Sequence, residues 1–481
     1  MRRTKPRDFA ADQPEKIILD RLAEFARSSS PLLTKDMATM RTRTVASVML
    51  GIAILTGCDP GDDEFRSGKP DYEVWLVDQS NSFGKAHGGT VYIYDGDDLQ
   101  SNHAEDAEPD DVILLDFGAT ELCVASTGVE PVRPHMLVFN ETDSHGILSF
   151  VASGHVVIFD APTRSPVSCF RTEVGAGGVR QAHAAFPTAG DDFIVVANQN
   201  GKKLERINTT YGTDTFTQDA PATIDLASCT TPSGAPCQAA GVRPDNAPIC
   251  PVPLPNGQVV VTLRGGGMFV VDPSTSPMSI VAEYDMDHVI GNGCGGTIIG
   301  DELFITSGGG TASNLYAYDV YSFPINGFSA ANPPNSPAPA IVDHDDGDNR
   351  DAHGLTPVKS TNSKYLWVAD RGLGLISTYK VSNFDLENEI QIGGDFDEAD
   401  KLTPDLLQIS PDGKRVFGSL RGPVPLSGDA HVSVGSQPGL VVLKPTGNGK
   451  DGHVEAIIPI SNIDAMGVER ADAHAIQVRT K

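Results

Sequence analysis

The sequence predicts an all-β fold, a seven-bladed β-propeller closed into a ring, and three observations predict it. Short runs of alternating apolar and polar residues are broken by Gly, Asn and Asp turns, the pattern of antiparallel hairpins. The same plan, an opening segment followed by a hairpin, returns about every 30–60 residues. The first unit lacks its opening segment, and the chain stops on an opening segment without a hairpin. Pairing those two halves in one sheet closes the ring and leaves no free edge.

Taken in order, Glu73–Asp95 holds two strands and no opening segment. Arg133–Asp160 begins RPHMLVF and ends GHVVIFD, and Arg180–Ile207 begins RQAHAAF. Asp245–Asp272 begins DNAPICPV, and Gly291–Asp319 begins GNGCGGTI. Asp351–Val381, DAHGLTPVKSTNSKYLWVADRGLGLISTYKV, is the fullest unit: an opening Asp-Ala-His, a polar turn near 360–364, a β-rich run and a second run after Asp370-Arg371-Gly372. Thr403–Leu443 begins TPDLLQISPDGKRVFGSLRGP. Asp472–Val478 (DAHAIQV) is the closing half-unit, expected beside Glu73–Val77. The Pro/Gly/Asp-rich connections 96–130, 212–243 and 324–349 are expected outside the ring.

Ahead of the repeats, Met40–Cys58 reads MRTRTVASVMLGIAILTGC. Arg41 and Arg43 form a basic start, and Val45–Leu55 an apolar run too short to span a bilayer. Leu55-Thr56-Gly57-Cys58 resembles a bacterial lipobox, which implies diacylation of Cys58 and a membrane-anchored, extracytoplasmic lipoprotein. The domain plan is then 1–39 as a mis-assigned start or disordered tail, 40–58 as signal peptide, 59–71 as acidic tether and 72–481 as propeller. The other six cysteines suit an oxidising compartment. Cys229 and Cys237 bracket a turn-rich loop and are expected to bond; Cys250 and Cys294 are expected to lie within bonding distance, leaving Cys123 with Cys169.

The formal net charge is −27. Ten Lys+Arg and six Asp+Glu precede Cys58, so the remainder carries 26 against 57, or −31. Such a surface repels phosphate backbones, and no basic patch interleaved with aromatics offsets it, so nucleic acid is excluded as a partner. No GxSxG, HExxH, P-loop or dinucleotide fingerprint gives a foothold to common hydrolase or nucleotide-binding readings.

The repeat places four of the 12 histidines at one structural position. His135, His183, His353 and His474 each head an inner strand, with Asp405 at the same place in the seventh unit; Pro248 near Asn246 and Cys294 near Asn292 hold it in the fourth and fifth. Inner strands line the channel of a propeller, so these side chains should point inward from one rim, with Asp405 between two of them. Imidazoles with a carboxylate suit a transition metal such as Zn or Cu, whose binding would weaken as pH falls through about 6.5. His145 is expected as a supporting group and His155 as outward-facing. Arg264, Arg371 and Arg421, each before Gly at the end of a second strand, are expected to pair with aspartates of neighbouring blades. Asp343–Asp351 is dense in acid but lacks calcium-loop spacing.

LWVADRGLGLISTYKV and LQISPDGKRVFGSLRG resemble blade motifs of the seven-bladed propeller superfamily that contains YncE-like proteins, lactonase-type propellers and the propeller domain of nitrous oxide reductase. The likeness covers roughly residues 72–481 and implies the fold; for the hub it implies histidine-bound copper as in the reductase, although three of the seven hub positions here carry no histidine. Three functions are consistent with the sequence. The first is a lipid-anchored propeller binding a transition metal or small ligand at its hub, for metal trafficking or scaffolding with an envelope protein partner. The second is a lactonase-like hydrolase or isomerase using a channel carboxylate, for which Asp405 is the candidate. The third is a protein-interaction scaffold.

Overall fold

The computed structural model describes residues 71–291, 293–308, 317–345, 349–359, 364–393, 401–425 and 433–481. The lipobox with Cys58, the tether, most of the 360–364 turn, Asn292 and part of Asp343–Asp351 lie outside the described residues.

Seven antiparallel sheets follow one another along the chain. Blade one holds β1 (Tyr72–Asp78), β2 (Thr90–Asp95) and β3 (Asp111–Leu114), and is completed from the C-terminus. Blade two is β4 (Pro134–Phe139), β5 (His145–Phe150), β6 (His155–Asp160) and β7 (Ser165–Arg171). Blade three is β8 (Ala182–Pro187), β9 (Phe193–Asn198), β10 (Lys203–Thr210) and β11 (Thr215–Gln218), with the two-residue β12 (Ile224–Asp225) also on β10. Blade four is β13 (Pro248–Pro253), β14 (Val259–Leu263), β15 (Met268–Asp272) and β16 (Ser279–Tyr284). Blade five is β17 (Gly296–Ile299), β18 (Glu302–Gly308), β19 (Tyr318–Pro324) and β20 (Ala340–Asp345). Blade six is β21 (Ala352–Lys359), β22 (Lys364–Asp370), β23 (Leu375–Lys380) and β24 (Leu386–Gln391). Blade seven is β25 (Pro404–Ile409), β26 (Val416–Leu420), β27 (Gly439–Thr446) and β28 (Asp451–Pro459).

The last strand, β29 (Ala473–Thr480), pairs with β1 as the innermost strand of blade one, Leu76 opposite Ile476 and Val74 opposite Val478. The seven-blade count and the C-terminal closure expected from the repeat are both met. Lys481 N–H donates to Asp71 O at 2.9 Å, so both ends of the ring leave at one rim. Every inner strand begins at the other rim.

The second and third strands of most blades are largely apolar runs, because neighbouring blades cover both of their faces; β10, KLERINTT, is the polar exception. VVVTL on β14 and YLWVAD within β22 are buried throughout. The outer strands are polar and half-exposed, as LENEIQ on β24 shows. The three long connections expected outside the ring in fact supply the outermost strands of blades: 96–130 carries β3, 212–243 carries β11 and β12, and 324–349 carries β20. With one face in water, these strands lack the apolar run that reveals their inner partners. A ten-residue helix, α1 (Gly118–Thr127), also lies in the first connection, tied to β7 by the Cys123–Cys169 disulfide.

Three disulfides are present among the described residues: Cys123–Cys169, Cys229–Cys237 and Cys250–Cys294, with Cα separations of 5.2, 5.4 and 5.2 Å. They accord with an extracytoplasmic location. No helix among the described residues is long and apolar enough to cross a membrane.

Candidate metal centre at the hub

Six of the seven inner strands, all but β17, start with a β-bulge that brackets the hub residue. Against the neighbouring strand, register shifts between Pro134 and Leu137, Ala182 and Ala184, Ala352 and Leu355, and Pro404 and Leu407. On the closing strand the shift falls between Ala473 and Ile476. An extra residue in one strand swings a side chain out of the regular alternation, here towards the axis. It also lifts the hub carbonyl off the ladder, so that group needs another partner.

In four blades a hydroxyl on the second strand supplies that partner to the next blade. Ser149 donates to His183 O at 2.9 Å, Thr306 to His353 O at 2.7 Å, and Thr262 and Ser419 to Gly293 O and His474 O at 2.5 Å each. The hub position of blade five is therefore Gly293, not Cys294. A Cβ there would meet Thr306 O at 1.6 Å, which explains the glycine. In blade four the equivalent residue is Ile249, not Pro248, since Pro248 takes the ladder position of Pro134. The bulge adds a residue that counting along the repeat does not see.

His135, His353, His474 and Asp405 are buried, and His183 is half-buried. Asp405 lies between two histidines as expected: His474 Nδ1 is 2.5 Å from Oδ2, and His353 Nε2 is 3.1 Å from Oδ1 but off the hydrogen-bond line. Arg421 reaches Oδ2 at 2.9 Å and Arg371 reaches Oδ1 at 3.4 Å. Burial alone would raise the carboxyl, but His474, Arg421 and His353 hold it well below the usual carboxylate range.

The arginines carry this network from blade to blade. Arg371 donates to Asp351 at 2.7 Å as well as to Asp405. Arg421 donates to Asp472 through Nε at 2.7 Å and a terminal nitrogen at 2.9 Å. Arg371 and Arg421 thus meet the neighbouring blade's aspartate as expected, whereas Arg264 pairs with Asp245 of its own blade at 2.6 Å. The side-chain amide of Gln79 donates to Asp472 at 3.1 Å and presents its oxygen to His135 Nδ1 at 3.0 Å. Sequence reasoning missed Gln79. The available signal was its place directly after the second strand, where Arg371 and Arg421 stand in their blades.

These contacts fix the imidazole tautomers. The Gln79 amide nitrogen is committed to Asp472, so its oxygen accepts from His135 Nδ1–H. His183 Nδ1 faces the Ile249 carbonyl at 3.0 Å and must donate to it. Both histidines therefore carry a lone pair on Nε2, and those two nitrogens lie 3.3 Å apart. His474 donates through Nδ1 to Asp405, and its Nε2 has no hydrogen-bond partner among the described residues; the same holds for both ring nitrogens of His353. Burial, then the charges of the neighbouring histidines, depresses His135; burial, then Arg371, depresses His353; and burial takes His183 to about 3. These imidazoles stay neutral far below pH 6.5, so proton competition at the hub begins at lower pH than the sequence suggested.

The five residues do not converge on one point. His353, Asp405 and His474 offer ligand atoms all within 4.8 Å of one another, and His135 with His183 forms a second pair. The His135 and His474 rings stack at 4.0 Å between centroids, joining the two groups. The Cys250–Cys294 disulfide occupies the wall where blades four and five lack a histidine. His145 stands apart, bonded to Asp214 at 2.8 Å and packed on Tyr211 and Phe216. His155, expected to face outward, is fully buried between Thr127 and Ser153, at 2.9 Å from each hydroxyl. Its place at the head of β6, covered by α1, explains the difference, because the helix is invisible in the strand pattern.

The fold and site define a closed seven-bladed β-propeller whose hub is an arc of histidines and charged groups. No protein-family model matches the sequence, and no curated protein matches it. Solved structures do. A hypothetical selenium-binding protein from Sulfolobus tokodaii superposes with TM-score 0.55 at 13% identity, over 86% of this chain and 94% of that one. A protein from Lactobacillus plantarum gives 0.54 at 10% identity, over 85% and 99%. A putative 6-phosphogluconolactonase from Bacteroides fragilis gives 0.50 at 12% identity, over 86% and 99%. At these identities the likeness establishes the shared propeller fold.

Proposed function

We propose that the hub binds a transition metal ion through histidine nitrogens, and that the protein is a lipid-anchored, extracytoplasmic metal carrier rather than an enzyme. One observation carries the reading. Two Nε2 lone pairs, on buried His135 and half-buried His183, face each other at 3.3 Å with their protons committed elsewhere. Two acceptors in that position repel unless a donor or cation lies between them. An ion 2.0–2.1 Å from each nitrogen would subtend about 107°, close to the tetrahedral angle that zinc prefers. Each imidazole has its other nitrogen bound to an oxygen acceptor, the arrangement that orients metal-ligating histidines. His474, whose ring stacks on His135, holds a further Nε2 with no hydrogen-bond partner among the described residues, while His353 and Asp405 belong to the neighbouring group; copper suits the same nitrogen donors.

The hydrolase alternative requires a channel carboxylate that can exchange a proton. Asp405 is held ionised between Arg421 and His474, which suits a structural anion. Lipidation of Cys58 would hold the propeller at a membrane, within reach of an envelope partner.

Metal content tests the reading. Protein loaded with Zn or Cu and freed of excess should retain one ion per chain, and His135→Ala/His183→Ala should lose it. Equal stoichiometry in both proteins would overturn the assignment. Cys58→Ser should move the protein from the membrane to the soluble fraction; unchanged partition would remove the anchor.

A further inference from the structure

The Cys250–Cys294 disulfide stands where the hub lacks imidazoles, and it has a histidine at its side. Cys250 lies on β13 of blade four, Cys294 just before β17 of blade five, and His183 on β8 of blade three. The two sulfurs and a ring nitrogen of His183 all lie within 4.8 Å of one another. Cys250 Sγ is 4.0 Å from His183 Nδ1, the nitrogen that donates to Ile249 O.

We propose that this disulfide is a redox-gated metal site: reduced, Cys250 and Cys294 become thiolate ligands that capture a soft or borderline d10 cation together with His183. The site stands on its own cysteines and shares only His183 with the histidine centre proposed above. A dithiol reductant supplies the electrons. Its thiolate attacks Cys294 Sγ, the slightly exposed partner, forming a mixed disulfide and releasing Cys250 as thiolate. Its second thiol then closes the reductant's own disulfide and releases Cys294. Two electrons and two protons have passed to the cysteines. A divalent cation takes both sulfurs as thiolates and displaces the two protons. Zn–S bonds of about 2.3 Å and Zn–N bonds of 2.0–2.1 Å place ligand atoms roughly 3.3–3.8 Å apart, so closing the cluster takes shifts on the order of an ångström.

The other two disulfides show why this one is singled out. Cys229–Cys237 closes a short surface loop, and no ligand group gathers there among the described residues. Cys123–Cys169 has His155 nearby, but both of its nitrogens are engaged by Thr127 and Ser153. His183 instead presents Nε2 only to another lone pair, on His135, so exchanging its Ile249 bond for a metal bond relieves that opposition. The oxidised chain offers a bis-histidine pair and the reduced chain a softer sulfur-rich set. One ring thus holds two metal preferences, chosen by the state of one bond.

The test uses the whole protein with Cd2+ as probe, read by sulfur-to-cadmium charge-transfer absorption before and after reduction with a phosphine. Reduced wild type should develop the band with one ion per chain, and untreated protein should show none. Cys294→Ser should abolish the band, Cys229→Ser/Cys237→Ser should keep it, and His183→Ala should weaken cadmium binding at least tenfold. Cys250→Ala/Cys294→Ala serves in place of the single variant if that fails to fold. A band that survives loss of Cys294 would overturn the proposal, as would its absence from reduced wild type. Loss of native circular dichroism on reduction would overturn it equally, since a gate needs a ring that survives opening. Failure here leaves zinc retention by the oxidised protein as a separate measurement.

Discussion

Three carboxylates, Asp351, Asp405 and Asp472, face two guanidiniums, Arg371 and Arg421, and all five are buried. The count predicts which loss the ring tolerates least. Asp405→Asn leaves Arg371 on Asp351 at 2.7 Å and Arg421 on Asp472 at 2.7 and 2.9 Å, so each cation keeps an anion. The cost is then the hydrogen bonds to a charged group, about 2–3 kcal/mol. Arg421→Met strips Asp405 of its 2.9 Å partner and Asp472 of both arginine contacts, leaving two anions where one cation remained at 3.4 Å. Breaking a buried pair in this way costs about 3–5 kcal/mol; among the described residues Asp405 keeps hydrogen bonds only from His474 and the longer Arg371 contact, and Asp472 only from the Gln79 amide and the Gly422 N–H. Against a total stability of about 5–15 kcal/mol, Arg421→Met should bring the ring close to unfolding. The assay is urea denaturation of metal-free protein at pH 7, followed by the buried Trp75 and Trp367. The double variant should cost less than the sum of the singles by about 2 kcal/mol. Asp405→Asn matching or exceeding Arg421→Met, or a cycle additive to within about 0.5 kcal/mol, would refute the charge count.

Deleting Ala473–Lys481 removes the innermost strand of blade one with Ala473, Ala475 and Ile476 fully buried, and it exposes the β1 edge; soluble folded protein should be lost, and a native circular dichroism spectrum would contradict closure. His155 is pushed down to about 4 by burial and then by Arg171 and Arg180. Below about pH 6.5 the unfolded chain takes up a proton that the folded chain refuses, so stability falls with pH between 6.5 and 4 by up to about 1.4 kcal/mol per unit. From pH 7 to pH 5, His155→Gln should lose about 2 kcal/mol less than wild type in urea titrations; parallel curves would rule this out. Gln79→Leu removes the acceptor that fixes the His135 tautomer and should weaken zinc binding 10–100-fold by competition titration, with unchanged affinity as the contrary result.

The ring was legible because its evidence is repeated. An opening DAH at 351–353 and again at 472–474 shows both the hub position and the missing half-blade, and Ile476 opposite Leu76 bears out the closure. The errors share a physical origin. Alternation reveals strands through apolar faces, so the polar LENEIQ on β24 fell outside the unit ending at Val381, and the four-residue β11 fell inside the connection 212–243. The bulge at the start of β13 adds a residue, which shifted the hub assignment from Ile249 to Pro248; in blade five the hub residue Gly293 carries no side chain to mark it, and Cys294 was taken instead. His155 and His145 were misplaced because burial depends on α1 and on the Tyr211–Phe216 cluster, neighbours that no local pattern announces. Gln79 was missed for a different reason: its place after the second strand matches Arg371 and Arg421, but it carries no charge, and its orientation is set by the Asp472 bond made across 393 residues of chain.

The hub is divided by charge, and the division bears on where a cation would rest. Blades six, seven and one hold Asp351, Asp405 and Asp472 against Arg371 and Arg421, one formal negative charge in excess among those five groups. Blades two to five hold His135, His183, Ile249, Gly293 and the cystine, all uncharged once burial has depressed the imidazoles. Neutral nitrogens bind a metal without first giving up protons, while the adjacent excess carboxylate offsets the charge that arrives. Removing that carboxylate should therefore weaken binding even though His135 and His183 never touch it. In Asp405→Asn the His474 ring also loses its anionic acceptor, 2.5 Å away, and with it the bond that aims Nε2 into the channel. The same substitution is thus expected to be mild for stability and severe for metal affinity. An inert scaffold with a wet polar channel would show only the first effect.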